Sequence, residues 1–257
     1  MSVWKRRAIL AGGALAVGAW VKGAPHLLSL RAPTLNFRNL EDVPPFRELT
    51  ATGTVTTNQS IFAGLSTGND VSAATKVLAQ QVRDNPCDAL FGPLVPGRVP
   101  VAVFSDFRCP NCRIMDARLL EIERDMPDRF YIVRHELPIL GAGSEMASRA
   151  VLAADRQGAY GEMYARLIRT PAVTDLAYVS QIASSIGLDV EEFQSDLQSL
   201  RITEQLMKSK AVANVFSFIG TPAFVVGRTA FLGTVTVSVF KALIAVETDR
   251  PCDAADT

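Results

Sequence analysis

The sequence predicts an α/β domain with a parallel βαβ unit at its centre, preceded by an N-terminal extension. Three observations predict it. An apolar, β-rich run from Val99 to Phe104 continues through Ser105-Asp106-Phe107, and a stretch of helical periodicity follows from Arg113 to about Met126. A second apolar run, Phe130 to His135, comes next. Strand, helix and strand in that order imply parallel pairing. A long helical stretch then gives way to β character again at Ala223 to Val226 and Ala230 to Val235.

The chain has 257 residues, enough for one ample domain and an extension. Lys plus Arg and Asp plus Glu balance at 26 each, so no basic footprint points to nucleic acid. Two histidines are too few for a histidine-built metal site, and His135, inside an apolar segment, reads as structural.

Residues 1–24 read as an export signal or N-terminal anchor rather than as part of the fold. Lys5-Arg6-Arg7 is a basic start, and Ala8 to Val21 is an uncharged Ala/Gly-rich run. That run falls short of the roughly 20 residues a membrane span needs. Arg6-Arg7 followed by Ala8-Ile9-Leu10 resembles a twin-arginine signal. Cleavage at Val17-Gly18-Ala19 leaves a periplasmic protein, and no cleavage leaves a membrane anchor. Export makes disulfides expected.

Residues 25–95 read as an extended arm with little regular structure, at most one or two edge strands, and a short helix over Ala73 to Val82 that ends before Asn85-Pro86. Phe91-Gly92-Pro93 through Pro96-Gly97 is a turn-rich boundary. The core domain is expected over 96–250, with 251–257 as a tail.

Between the first strand and its helix stands Cys109-Pro110-Asn111-Cys112. With Cys109 as N-cap, Pro110 takes the first helical position, where its missing N–H costs nothing. Cys112 then lies nearly one turn on. The unpaired N–H groups and the positive end of the helix favour a thiolate on Cys109, and a lowered thiol pKa suits both attack and departure. Cys109 is expected exposed at the helix tip and Cys112 turned inward, with Arg108 and Arg113 adding positive potential. Cys112, Met115, Leu119, Ile122 and Met126 share one helix face. An inert pair and half of a metal site are the alternative readings. A zinc site built from cysteines alone usually needs a second close pair, whereas Cys87 and Cys252 are far apart in sequence.

After the second strand, Ser144 can cap a helix running to Gln157, with Gly158 as its stop. Thr174 can cap another that ends near Gly187. Asp189 with Glu192 makes a capping box for a third, and Arg201 to Ala213 supplies a fourth. These helices form an insertion over about 143–213. A last helix covers about Val237 to Val246.

Phe104-Ser105-Asp106-Phe107-Arg108-Cys109-Pro110-Asn111-Cys112 resembles the F-x-D-x-x-C-P-x-C signature of DsbA-like thiol–disulfide oxidoreductases of bacterial envelopes. Gly220-Thr221-Pro222-Ala223-Phe224 resembles that family's cis-proline loop. The resemblance spans about Pro100 to Val246. It implies a thioredoxin fold with a helical insertion between the second and third core strands. It also implies that Thr221-Pro222 sits against the cysteine pair, where a substrate chain pairs with the backbone of Thr221.

Two positions depart from the pattern. Strongly oxidising members carry histidine between the cysteines, and Asn111 offers a hydrogen bond but no charge. Many thioredoxin-fold proteins keep a buried acid six residues before the first cysteine, where this chain has Val103. Asp106 is then the candidate for proton transfer at Cys112, or else a turn or cap residue.

The expected chemistry is thiol–disulfide exchange through a mixed disulfide, with no metal or organic cofactor. Cys109 attacks, Cys112 resolves, and Pro110 and Asn111 support the pair. Oxidase is favoured over reductase or isomerase. A non-catalytic chaperone module with an inert disulfide is the reading from another class. Partners are proteins with free thiols or disulfides and a redox partner, membrane-bound in one reading. Cys87 and Cys252 flank the core domain and read as a structural disulfide joining its ends, with a second redox pair as the alternative.

Overall fold

Apolar residues at every position of one strand fix the middle of the sheet. The structure, a computed structural model, describes residues 33–50, 73–170, 175–250 and 252. The export segment, Thr174 and the 251–257 tail other than Cys252 lie outside the described residues, as do residues 25–32 and 51–72.

The N-terminal elements are β1 (Asn36–Asn39), β2 (Arg47–Thr50), α1 (Ala73–Asp84) and α2 (Pro86–Phe91). The βαβ unit follows as β3 (Val99–Ser105), α3 (Pro110–Asp125) and β4 (Phe130–Glu136). Five helices come next: α4 (Ala142–Asp155), α5 (Tyr160–Leu167), α6 (Leu176–Ser185), α7 (Val190–Leu197) and α8 (Leu200–Val215). The chain closes with β5 (Ala223–Val226), β6 (Thr229–Leu232) and α9 (Val237–Glu247). All of them belong to the compact unit formed by residues 35–257.

The sheet order is β1-β2-β6-β5-β3-β4. β3 pairs parallel with β4 and antiparallel with β5, as expected of a crossover unit joined to a hairpin. Every residue of β3 is buried, the mark of a strand covered on both faces. On one face Val99, Val101, Val103, Phe224, Val226 and Phe231 pack against α3 and α9. On the other, Ala102, Phe104, Val225 and Leu232 pack against residues of α1, α2 and α8. The helical insertion, α4 to α8, carries its own core around Phe107, Val151, Met163, Leu167 and Phe193.

The local signals act where the physics says they should. Asp189 caps α7 by accepting the Glu192 N–H at 2.9 Å, and Thr236 caps α9. Other boundaries differ. The helix assigned to a Ser144 cap starts two residues earlier, at Ala142, behind Gly141 with φ 94°, because the Ser144 hydroxyl is committed to Asp106. Asp175, rather than Thr174, caps α6. The helix α5 was not expected: its cap position is Ala159, which makes no side-chain cap bond, so no sequence signal opens it.

Over 25–95 the described residues hold two strands and the helix over Ala73–Asp84, as many as the sequence allowed; the short helix α2 and the place of β2 inside the sheet go beyond it. β2 joins the sheet beside β6 in parallel, and β1 pairs with β2. Phe46, Leu49 and Leu90 are each 1% exposed or less, so a few large side chains anchor a segment whose overall composition is polar.

An ion-pair knot fastens β2 to the C-terminal helix. Glu247 is buried; its Oε1 accepts from Arg47 Nη2 and from the Thr229 hydroxyl, each at 2.6 Å, and its Oε2 accepts the Arg228 N–H at 3.0 Å. Gly227, with φ 53°, leaves the room, since a Cβ there would lie 2.7 Å from Glu247. Cys87 at the start of α2 and Cys252 beyond α9 form a disulfide across a sequence separation of 165 residues.

Glu247→Ala is expected to lower unfolding free energy by about 3–5 kcal/mol, because Arg47 loses its buried partner; urea midpoints of the two proteins measure it. Replacing Cys87 and Cys252 by alanine together is expected to cost about 2–5 kcal/mol while leaving the rate of Cys109 alkylation unchanged.

Candidate active site

The end of β3 is tied down before the cysteines begin. Asp106 is fully buried, and its carboxylate accepts four hydrogen bonds. Oδ1 takes the Arg108 N–H at 2.8 Å and the Ser144 hydroxyl at 2.7 Å, and Oδ2 takes the N–H groups of Ile139 and Leu140 at 2.8 and 3.0 Å. Its own carbonyl accepts the Cys109 N–H at 3.0 Å. With both oxygens occupied by donors, Asp106 organises the turn. The alternative reading, Asp106 as proton acceptor for Cys112, gives way to this one.

Cys109 is the N-cap of α3, with extended backbone (φ −78°, ψ 118°), and Pro110 occupies the first turn. The Cys109 sulfur accepts the Cys112 N–H at 3.3 Å, and its S–H donates to the Thr221 carbonyl at 3.3 Å. The Thr221-Pro222 peptide bond is cis. Residues separated by more than a hundred positions therefore meet at one sulfur atom. Cys109 is only 5% exposed, in contrast to the exposed tip expected, because the Thr221 loop packs over it. Cys112 is buried beneath the helix, and both cysteines are free thiols.

The two sulfurs have opposite electrostatics. The Cys112 S–H directed at Cys109 is the main reason that thiol is held down, from 9.0 to about 6, against the opposing effect of burial. The Thr221 side chain and the N–H groups of Cys112 and Asn111 add to the effect. Burial pushes the Cys112 thiol far up, and its hydrogen bond to Cys109 and that neighbour's negative charge push it further. One thiol is ready to ionise and the other is held protonated.

The flanking arginines do other work. Arg113 donates to the carbonyls of Phe107, Ile168 and Thr170 and so ties α3 to the helical insertion, while Arg108 is exposed. Asn111 is exposed. His135 stacks on Phe104, its Nε2 lies 2.8 Å from the Leu90 carbonyl, and burial lowers its pKa, so it is a structural residue.

Sequence reasoning missed a polar cluster beside α3. Arg134 lies over the Tyr164 ring at 3.9 Å and pairs with Asp116 at 3.2 Å, and the Tyr164 hydroxyl donates to Asp116 at 2.9 Å. Tyr160 stacks on Tyr164, and its hydroxyl donates to Glu136 Oε1 at 2.5 Å. Glu136 is buried, its Oε2 has no hydrogen-bond partner, and burial pushes its carboxyl up to about 7. Arg113, Asp116, Leu120, Arg134, Tyr160 and Tyr164 line an open groove of about 680 Å³ along this cluster. The i, i+4 spacing of the tyrosines and the i, i+2 spacing of Arg134 and Glu136 were the available signals. Among the described residues, no group of three or more His, Cys, Asp or Glu side chains is arranged to hold a metal ion.

The family model described as a DSBA-like thioredoxin domain matches residues 100–245. A thioredoxin-like oxidoreductase from Silicibacter pomeroyi DSS-3 has a similar structure, with a TM-score of 0.57 and 32% identity, covering 62% of this chain and 96% of that one. The thiol:disulfide interchange protein DsbA of Bordetella parapertussis is 23% identical over 137 residues, 51% of this chain and 65% of that protein. The Na(+)/H(+) antiporter NhaA 3 of Salinispora tropica is 28% identical over 153 residues, 58% of this chain. The chain spans only 23% of the length of that antiporter.

The reduced protein is expected to show one thiolate titrating with a midpoint near pH 6, followed by ultraviolet absorbance. Cys112→Ala is expected to raise that midpoint, since the Cys112 thiol is the main stabiliser. The folded pKa lies below the unfolded one, so this ionisation stabilises the reduced fold at higher pH and the gain is lost as pH falls through about 6. The stability of the reduced form relative to the oxidised form should therefore grow from about pH 6 to pH 9.0, as urea midpoints will show.

Proposed function

The chain belongs to the DSBA-like thioredoxin domain family and has that family's fold, and from this we propose that it is a thiol–disulfide oxidoreductase of the cell envelope acting on protein substrates. The observation that carries the reading is the meeting of Cys109, Cys112 and the Thr221 carbonyl at one sulfur atom.

In the oxidising direction a substrate thiolate attacks the Cys109 sulfur of the Cys109–Cys112 disulfide. A bond forms between the two sulfurs, and the disulfide electron pair leaves on Cys112. A second substrate thiolate then attacks the substrate's own sulfur in the mixed disulfide. Cys109 departs as a thiolate, which its low pKa favours. The substrate gains a disulfide and the pair is left reduced. A membrane-bound redox partner of the envelope reoxidises it.

Direction follows from the thiolate. Stabilising the reduced pair makes its disulfide more oxidising. The Cys109 thiol is held well below its ordinary value by the donors around it, and a lowered pKa at the attacking thiol supports an oxidase. Asn111 fits this: its N–H contributes, but it brings no charge.

Substrate binding falls to Thr221 and Pro222, where an extended peptide pairs with the backbone. Ile139 and Leu140, whose N–H groups bind Asp106, and Ile219, two residues before Thr221, leave apolar side chains about half exposed on the adjoining loops. Such side chains suit an unfolded chain. The export reading of residues 1–24 places the protein in the periplasm or on the membrane, and the Cys87–Cys252 disulfide is in keeping with an oxidising compartment. Among the described residues no helix is long and apolar enough to cross a membrane.

Cys112→Ala is expected to trap substrates as mixed disulfides on Cys109, seen as thiol-sensitive bands after acid quenching, and the further change Cys109→Ala is expected to abolish them. A non-catalytic module gives neither result. The reduction potential of the pair is expected between about −120 and about −270 mV; a value at the reducing end overturns the oxidase direction.

A further inference from the structure

The resolving thiol has no proton partner in the exchange as described, and Val103 fills the position where an acid would serve it. β4 supplies one. Phe130 and Ile132 belong to the core that α3 covers, and Arg134 reaches Asp116 on α3. The alternation of a strand then puts Glu136 on the same face. In a βαβ unit α3 runs antiparallel to β4. Two residues up the strand rise about 6.6 Å and four residues back along the helix about 6 Å. Since Arg134 stands beside Asp116, Glu136 stands level with Cys112.

The other side of the site agrees. Ser105 is the register partner of Glu136. The next residue, Asp106, directs its backbone N–H at the Cys112 sulfur and its charge acts on Glu136. Ser105 and Asp106 thus adjoin both residues, Glu136 through the strand register and the Asp106 charge, Cys112 through the Asp106 N–H. One oxygen of that carboxyl is held by Tyr160, a residue of the groove wall, and the other has no partner.

We propose that Glu136 holds the proton that Cys112 gives up and takes back during exchange, with Tyr160 connecting it to the groove. This rests on the exchange reading above. When Cys112 attacks the mixed disulfide, the Cys109–Cys112 bond forms and the bond from Cys109 to the partner sulfur breaks. The partner sulfur leaves with the electron pair as a thiolate, and the Cys112 proton moves to Glu136 Oε2. The partner disulfide is reduced and the cysteine pair oxidised. In reverse, Cys112 leaves with the electron pair and takes the proton from the Glu136 carboxyl.

The charged and titratable groups that act on this carboxyl are Arg134 of β4, Asp106 after β3, and Tyr160 and Tyr164 of α5, with Asp116 of α3 behind Arg134. Burial raises the carboxyl to about 7, against the Tyr160 hydrogen bond and the Arg134 charge, so both protonation states are present near neutral pH. Asp106 cannot serve instead, because four donors already fill its oxygens.

The test uses the full-length reduced protein and an aromatic disulfide that releases a coloured thiolate. Attack by Cys109 releases the first equivalent, and attack by Cys112 on the mixed disulfide releases the second. The second phase of the wild type is expected to accelerate with pH around a midpoint near 7, as Glu136 becomes an acceptor. Glu136→Gln is expected to lose that midpoint and to slow the second phase roughly a hundred-fold at neutral pH. Its first phase should keep the wild-type rate and its midpoint near 6. A Glu136→Gln protein with the wild-type second phase overturns the proposal, and so does one in which both phases fall together. Tyr160→Phe removes a hydrogen bond to the ionised carboxylate and is expected to move the second midpoint upward; an unmoved midpoint also overturns the proposal, even if Glu136→Gln fails to fold. A wild-type protein that releases no second equivalent overturns the exchange reading itself.

Discussion

The Asp106 carboxylate is the interaction on which the rest of the site depends. It gathers the N–H groups of Arg108, Ile139 and Leu140 and the Ser144 hydroxyl, and so joins the end of β3, the loop after β4 and the first turn of α4. Its backbone carbonyl fixes the N–H of Cys109. A fully buried carboxylate is tolerable only when hydrogen bonds replace its lost water, and here both oxygens are used by segments that must be held. The start of α3, and with it the direction of the Cys109 thiol, follows from that constraint.

With the turn fixed, two thiols one helical turn apart acquire opposite characters. Cys109 collects donors: the Cys112 thiol, the Thr221 side chain and two backbone N–H groups. Cys112 collects apolar burial and the negative charge of its neighbour. The difference arises from position on the helix, since the residue type is the same. The N-cap faces the unpaired N–H groups of the first turn, whereas the third helical residue faces the sheet. A pair built this way has a built-in order of events: ionisation at one sulfur, proton transfer at the other.

How much of this was legible follows from the range of each interaction. The motif at 109–112, the apolar face of α3 and the cap at Asp189 are local, and each appears in the sequence within a few residues. The thioredoxin fold was legible because two motifs, at Cys109 and at Pro222, lie far apart with helices between. Large side chains decided the course of residues 36–50: Phe46 and Leu49 are buried, but so few apolar residues allow a strand or two without fixing where they join the sheet. The helix α5 lacks a capping side chain and so left no mark. Glu136 was illegible for a different reason. An acid at a strand end ordinarily meets water, but this one is buried and bonded by Tyr160, which stacks on Tyr164, a residue from a distant part of the chain. The knot between Arg47 and Glu247 joins residues two hundred positions apart, beyond any pattern in the chain.

The bond between Cys87 and Cys252 places a demand on the protein's own maturation. Synthesis delivers Cys87, Cys109 and Cys112 long before Cys252, which lies 165 residues after its partner. During that interval the only thiols within reach of Cys87 are the two that the site needs free. A chain oxidised while still emerging would join the wrong cysteines and consume its own chemistry. Correct pairing needs Cys252, beyond α9, and the folded chain buries Cys109 and Cys112 away from that competition. The partner of Cys87 is thus chosen by the fold and not by nearness along the chain.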